Sequence, residues 1–159
     1  MKTTGKLIVS LAIAVFFLWG CGGDEKAGGQ EADANKVHVT ITGDDQMKFD
    51  KKVIEVPAGA TVTLTLKHIG KMPLSSMGHN FVLLKEGTNL DSFAMAAASA
   101  KETDYIPERK KDQVIVHTKM LGGGQSDTVT FTAPPAGTYK FICSFPGHYM
   151  AMQGNFIVR

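Results

Sequence analysis

The sequence predicts an all-β fold, a Greek-key sandwich of about eight short strands with one short inserted helix. Three observations carry this. Apolar residues alternate with polar ones at a period of two in segment after segment, the segments are separated by Pro/Gly turn formers, and a single alanine-rich run breaks the pattern. A chain of 159 residues has room for one domain with an appendage, and no internal repeat or second domain is visible.

The appendage comes first. Lys2 and Lys6 precede the apolar run Leu7 to Trp19, which at 13 residues is too short to span a bilayer. Residues 1–20 therefore read as a secretory signal peptide. The run ends Leu18-Trp19-Gly20-Cys21, which looks like a bacterial lipoprotein cleavage site, where the cysteine becomes the lipid-bearing first residue. The alternative is cleavage nearby, with Cys21 removed or left as a free thiol. Lipidation is favoured because residues 21–36 have the Gly-rich, charged make-up of a flexible tether.

The folded part is expected over 37–159. Val37, Val39 and Ile41 alternate with polar residues, as do Val62, Leu64 and Leu66, and then Val129 and Phe131. Further strands are expected at Lys52 to Val56, His79 to Leu84, Gln113 to Thr118, Thr138 to Cys143 and Gln153 to Val158. Pro57-Ala58-Gly59 and Ala133 to Gly137 supply turns. From Leu90 to Lys101 the alanines favour helix, and Thr88 or Asn89 can cap its start.

Charge narrows the function classes. The chain carries +2, and loss of residues 1–20 removes Lys2 and Lys6 but no acid, leaving a balance of zero. No basic stripe interleaves with aromatics, so nucleic acid is not an expected partner.

The chemistry concentrates in Cys143-Ser144-Phe145-Pro146-Gly147-His148-Tyr149-Met150-Ala151-Met152. A thiolate, an imidazole and thioethers within ten residues form a soft ligand set that favours copper. Two His and one Cys in a plane with a weak axial Met is the blue-copper arrangement. A buried, inert cysteine is the plain alternative, and the adjoining Pro146-Gly147-His148 weighs against it. A second histidine must come from His38, His68, His79 or His117. His79 has the most suggestive setting, between Gly78 and the apolar run Phe81 to Leu84. Residue chemistry alone leaves Met150 and Met152 as equal competitors for the axial position.

With Asp45-Gln46-Met47-Lys48-Phe49, Met77-Gly78-His79-Asn80, Val116-His117-Thr118-Lys119 and Cys143 to His148 in this order, the chain closely resembles the azurins. These are small blue-copper proteins of the cupredoxin class, and the resemblance covers roughly residues 37–159. It implies the cupredoxin form of the sandwich and one copper ion cycling between Cu(I) and Cu(II). The implied ligands are His79, Cys143, His148 and Met152, with the Gly78 carbonyl as a weak axial contact. Asn80 and Phe145 match residues that support the ligands, while His68 and His117 match histidines that are not ligands. Met47, Met77, Phe145, Pro146 and Gly147 match an apolar patch through which electrons leave. The azurin disulfide is missing, since neither Val37 to Thr42 nor Val56 to Ala60 holds a cysteine.

The function so implied is single-electron transfer outside the cytoplasm, periplasmic or at the cell surface, with a membrane anchor through Cys21. Partners would be c-type cytochromes or terminal reductases and oxidases. Copper storage, delivery or resistance is the alternative, although it typically needs extra Met or His clusters. An enzyme is not expected: multicopper oxidases and copper nitrite reductases need further His-rich centres, and five histidines cannot furnish them. A cysteine hydrolase would need a helix-start setting that Cys143 lacks, and zinc is disfavoured because methionine is a poor zinc ligand.

Overall fold

The structure, a computed structural model, describes residues 35–159. The expected signal peptide, Cys21 and nearly all of the expected tether lie outside the described residues. Eight strands form two sheets, in agreement with the expected sandwich. In chain order they are β1 (Lys36–Gly43), β2 (Val53–Val56), β3 (Thr61–His68), β4 (Val82–Leu84), β5 (Val114–His117), β6 (Ser126–Thr132), β7 (Gly137–Ile142) and β8 (Gln153–Val158). One sheet has the order β1-β3-β6 and the other β2-β8-β7-β4-β5. β1 runs parallel to β3, and β2 parallel to β8, while the remaining pairs are antiparallel.

Alternation places Ile41, Val62, Leu64 and Leu66 of the first sheet against Ile54, Leu83, Phe141 and Phe156 of the second, joined by Phe81 just ahead of β4. This apolar contact is the main stabilising term. On the outward face of the first sheet, Thr65 and Thr128 share a cross-strand hydroxyl hydrogen bond of 2.8 Å. β4 is buried on both faces, which explains its unbroken apolar run. Its second face, with Val82, Leu84 and Ile142, is covered by Phe93, Ala97, Tyr105, Ile106 and Met120.

Phe93 and Ala97 belong to the inserted helix α2 (Leu90–Ala97). Asn89 caps it, its Oδ1 accepting the Ser92 N–H at 2.8 Å, while the Thr88 hydroxyl turns back to the Lys85 carbonyl. The helix stops short of the expected Lys101. After Ala97 the bonds tighten to three-residue spacing, Ser99 to Ala96 and Ala100 to Ala97. The chain then passes through Asp104 and Tyr105, both left-handed, at φ 53° and 59°. A one-turn helix, α1 (Leu74–Met77), follows Pro73 and has no counterpart in the sequence reading, since four residues are too few to show a period.

No cysteine pair ties the start of the domain. β1 is instead held to β3 by an eight-residue ladder, prolonged by the Thr61 N–H to the Asn35 carbonyl at 2.8 Å. Among the described residues no helix is long and apolar enough to cross a membrane.

Candidate metal centre

Strand β7 ends at Ile142, so Cys143 emerges at the end of the sandwich, and the loop 143–152 doubles back into β8. The Cys143 N–H donates to the Met152 carbonyl at 2.9 Å, and the Met152 N–H to the His148 carbonyl at 2.8 Å. Gly147, at φ 83°, takes the left-handed turn in between that a side chain would oppose. His79 enters from the segment leading into β4, where its backbone exchanges two hydrogen bonds with Leu121, of 3.0 and 2.8 Å.

These elements bring His79, Cys143 and His148 together, with ligand atoms all within 4.8 Å of one another and all three side chains buried. The Cys143 Sγ lies 3.9 Å from His79 Nδ1 and 3.7 Å from His148 Nδ1. A metal ~2.3 Å from sulfur and ~2.1 Å from an imidazole nitrogen, at an angle of about 110–120°, holds those two atoms roughly 3.6–3.8 Å apart. The two sulfur–nitrogen distances lie close to that span, so the cluster is of a size to hold one ion. The Gly78 carbonyl is 3.7 Å from the same sulfur.

The histidine tautomers follow from their partners. His79 Nε2–H donates to the Asp44 carbonyl at 2.8 Å, which leaves Nδ1 as the free lone pair facing the sulfur. His68 stacks on His79 with ring centroids 4.3 Å apart. Both nitrogens of His68 are engaged, Nδ1 accepting the Gly70 N–H and Nε2–H donating to the Met77 carbonyl. His117 points its Nδ1 at the Thr118 carbonyl, and His38 sits on the exposed face of β1. Neither belongs to the cluster.

The two methionines are placed differently. Met152 is fully buried, its methyl near Gly43 beside the His79 ring, whereas Met150 is 74% exposed. Asn80 is fully buried and stitches the site together. Its Oδ1 accepts the Ser144 N–H at 2.8 Å, and its Nδ2 donates to the Ser144 hydroxyl at 2.8 Å and to the Asp104 carbonyl at 3.0 Å. Phe145 packs against His148 at 4.6 Å and against Tyr105 at 5.3 Å. Gly78 allows this crowding, because a side chain there would meet Phe145 at 2.7 Å and the Met120 sulfur at 2.9 Å. Of the expected apolar patch, Met47, Pro146 and Gly147 are exposed, and Met77 and Phe145 half-buried.

Asp44, Asp104, Tyr105 and Met120 were not singled out by the sequence. Asp44 and Asp104 act through backbone carbonyls, which no side-chain pattern reveals. Ser144 was open to view as the polar residue directly after Cys143.

Without metal, burial pushes the Cys143 thiol up to about 12, partly opposed by the N–H groups of Asn80 and Phe145. Burial, reinforced by the neighbouring His79 and His68, pulls His148 down to about 4. His79 is also lowered, chiefly by burial, against the pull of its bond to the Asp44 carbonyl. Both imidazoles are therefore neutral and ready to ligate near pH 7, and metal entry must displace one proton, from Cys143. Metal affinity should fall about tenfold per pH unit from roughly pH 9 to 6.5, and more steeply at lower pH as His79 and, near 4, His148 protonate. The metal-free fold gains stability from neutral His148 above its ordinary value of 6.5. That contribution is lost as pH falls through about 4. Competitive chelator titrations and urea midpoints across pH 3–9 check both.

The comparisons agree with this chemistry. Residues 35–159 match the family described as copper binding proteins, plastocyanin/azurin family. An azurin of Bordetella pertussis is 42% identical over 126 residues, covering 77% of this chain and 83% of its own. The outer membrane protein H.8 of Neisseria gonorrhoeae is 39% identical over 127 residues, covering 77% and 67%. Auracyanin A, a "blue" copper protein of Chloroflexus aurantiacus, superposes with a TM-score of 0.70 at 37% identity, covering 78% of this chain and 99% of that one. A sandwich of the cupredoxin type, a His-Cys-His cluster spaced for one copper ion, and a family match over the whole described domain lead to one assignment. The chain belongs to the plastocyanin/azurin family of copper-binding proteins.

Proposed function

We propose that this protein shuttles single electrons between redox partners outside the cytoplasm, and that His79, Cys143, His148 and Met152 would hold its copper ion, with the Gly78 carbonyl as a weaker contact. The observation that carries this reading is the buried sulfur within 3.9 Å of two imidazole nitrogens, with the His79 tautomer already set for a metal by its bond to the Asp44 carbonyl. Copper bound there supplies a one-electron couple, and the chain's residues supply the rest. Cys143 and His148 are fixed by the closed loop, His79 by Asp44 and Leu121, so the ligand atoms need little movement when charge changes.

His148 retains 4% exposure whereas His79, Cys143 and Met152 retain none, which favours His148 as the electron exit. Met47, Met77, Phe145, Pro146 and Gly147 surround that exit as a small apolar docking patch for c-type cytochromes or terminal reductases and oxidases. Adaptable methionines suit more than one partner. Complete burial of the sulfur opposes rapid metal exchange, which weighs against copper delivery.

We also propose that Cys21 carries a lipid and that residues 21–36 tether the domain to a membrane, at the periplasmic or outer cell surface. The sequence around Cys21 supports this, as does the name of the relative called an outer membrane protein. Voltammetry of the copper-loaded protein should give one reversible one-electron wave, and the Cu(II) form should be intensely blue. A colourless adduct, or copper lost on reduction, would refute the carrier reading.

A further inference from the structure

Gly43 closes β1. A methyl group built on it would lie 2.8 Å from His79 Cδ2, 3.3 Å from His79 Cγ and 3.3 Å from the Met152 methyl carbon. Its backbone is not in the left-handed region, so conformation does not demand glycine there, and space alone does.

Neither neighbour can yield easily. The His79 ring is stacked on His68 on one side and tied at Nε2 to the carbonyl of Asp44, the residue after Gly43. Met152 is fully buried, and its backbone is bonded to both Cys143 and His148. Gly43 cannot retreat, since its carbonyl accepts the Ile69 N–H at 2.8 Å and it is paired with His68 and Phe49 on either side.

We propose that Gly43 is a positioning residue of the copper centre: the side chain it lacks sets where the His79 imidazole and the Met152 thioether lie, and so tunes the redox potential. This rests on the ligand assignment above. A methyl at this point acts on two ligands at once, displacing His79 and re-aiming Met152. Imidazole is a harder donor than thiolate and favours the harder ion, so a displaced His79 weakens Cu(II) binding more than Cu(I) binding.

The test is Gly43→Ala beside Gly122→Ala, whose nearest neighbours would be the backbone and Cβ of Leu74, not a ligand side chain. Gly43→Ala should lower the ratio of Cu(II) to Cu(I) affinity about tenfold, a rise in potential of about 59 mV for one electron. It should also change the intensity and hyperfine pattern of the blue site. Gly122→Ala should lower the urea midpoint and leave potential and colour as in the parent. If Gly43→Ala behaves like Gly122→Ala, losing stability alone, the proposal is overturned.

A second arm needs no variant and no colour. Proton NMR of the parent, metal-free and Cu(I)-loaded, should show strong cross-relaxation from the Gly43 α-protons to His79 Hδ2 and to the Met152 methyl. Absence of both contacts overturns the proposal even if Gly43→Ala fails to fold. A parent that binds no copper while keeping these contacts would sink the carrier reading and leave the packing of Gly43 intact.

Discussion

Cys143→Ser should bind Cu(II) without the blue colour and hold Cu(I) roughly a hundredfold or more weakly, beyond what loss of a supporting hydrogen bond costs at a metal site. The reason is electronic. The colour comes from charge moving from a soft thiolate to the metal, and an alcohol oxygen is neither soft nor deprotonated at neutral pH. The substitution is nearly isosteric, and its hydroxyl can donate to the Gly78 carbonyl that the thiol faces at 3.7 Å. The metal-free variant should therefore fold, with a urea midpoint close to the parent's, so that loss of metal is read separately from loss of structure. Visible absorption and a Cu(I) competition titration measure the two effects.

Asn80→Ala should cost about 3 kcal/mol in the metal-free protein, because it strips partners from the Ser144 N–H and the Asp104 carbonyl. Asn80 joins three segments: the approach to β4, the start of the ligand loop, and the turn after α2. Its removal should also reduce copper affinity by about 10- to 100-fold, as loss of supporting bonds does at other metal sites. Asn80→Asp is the informative companion. It keeps the acceptor for the Ser144 N–H but loses the donor to Asp104, so it should cost less copper affinity per unit of lost stability. Urea unfolding and chelator competition on the same samples separate the two costs.

The strands were legible because each buries one face and so carries a period of two; β4 was legible from its length and apolarity, being buried on both faces. α1 left no trace, since one turn shows no period. The early end of α2 was hidden for a different reason. Ala98 and Ala100 have high helix propensity, yet the turn that carries Asp104 to Asn80 and Tyr105 to Phe145 overrides it. At the site, Cys143, His148 and His79 were marked by residue type and neighbours. Choosing Met152 over Met150 required the family resemblance, and the structure buries the former and exposes the latter. What the sequence did not disclose was backbone: the Asp44 carbonyl that sets the His79 tautomer, and the space at Gly43 that a missing side chain leaves. The absent disulfide is a related case, because Asn35 prolongs the β1–β3 ladder in the region where azurins carry a covalent tie that this chain lacks.

Copper X-ray absorption of the loaded protein, oxidised and reduced, tests the central claim most directly. The sulfur of Cys143 and the Nδ1 atoms of His79 and His148 should appear as one short Cu–S and two Cu–N distances that barely change between the two states. A nearest shell without sulfur, or one that loses a nitrogen on reduction, would contradict it.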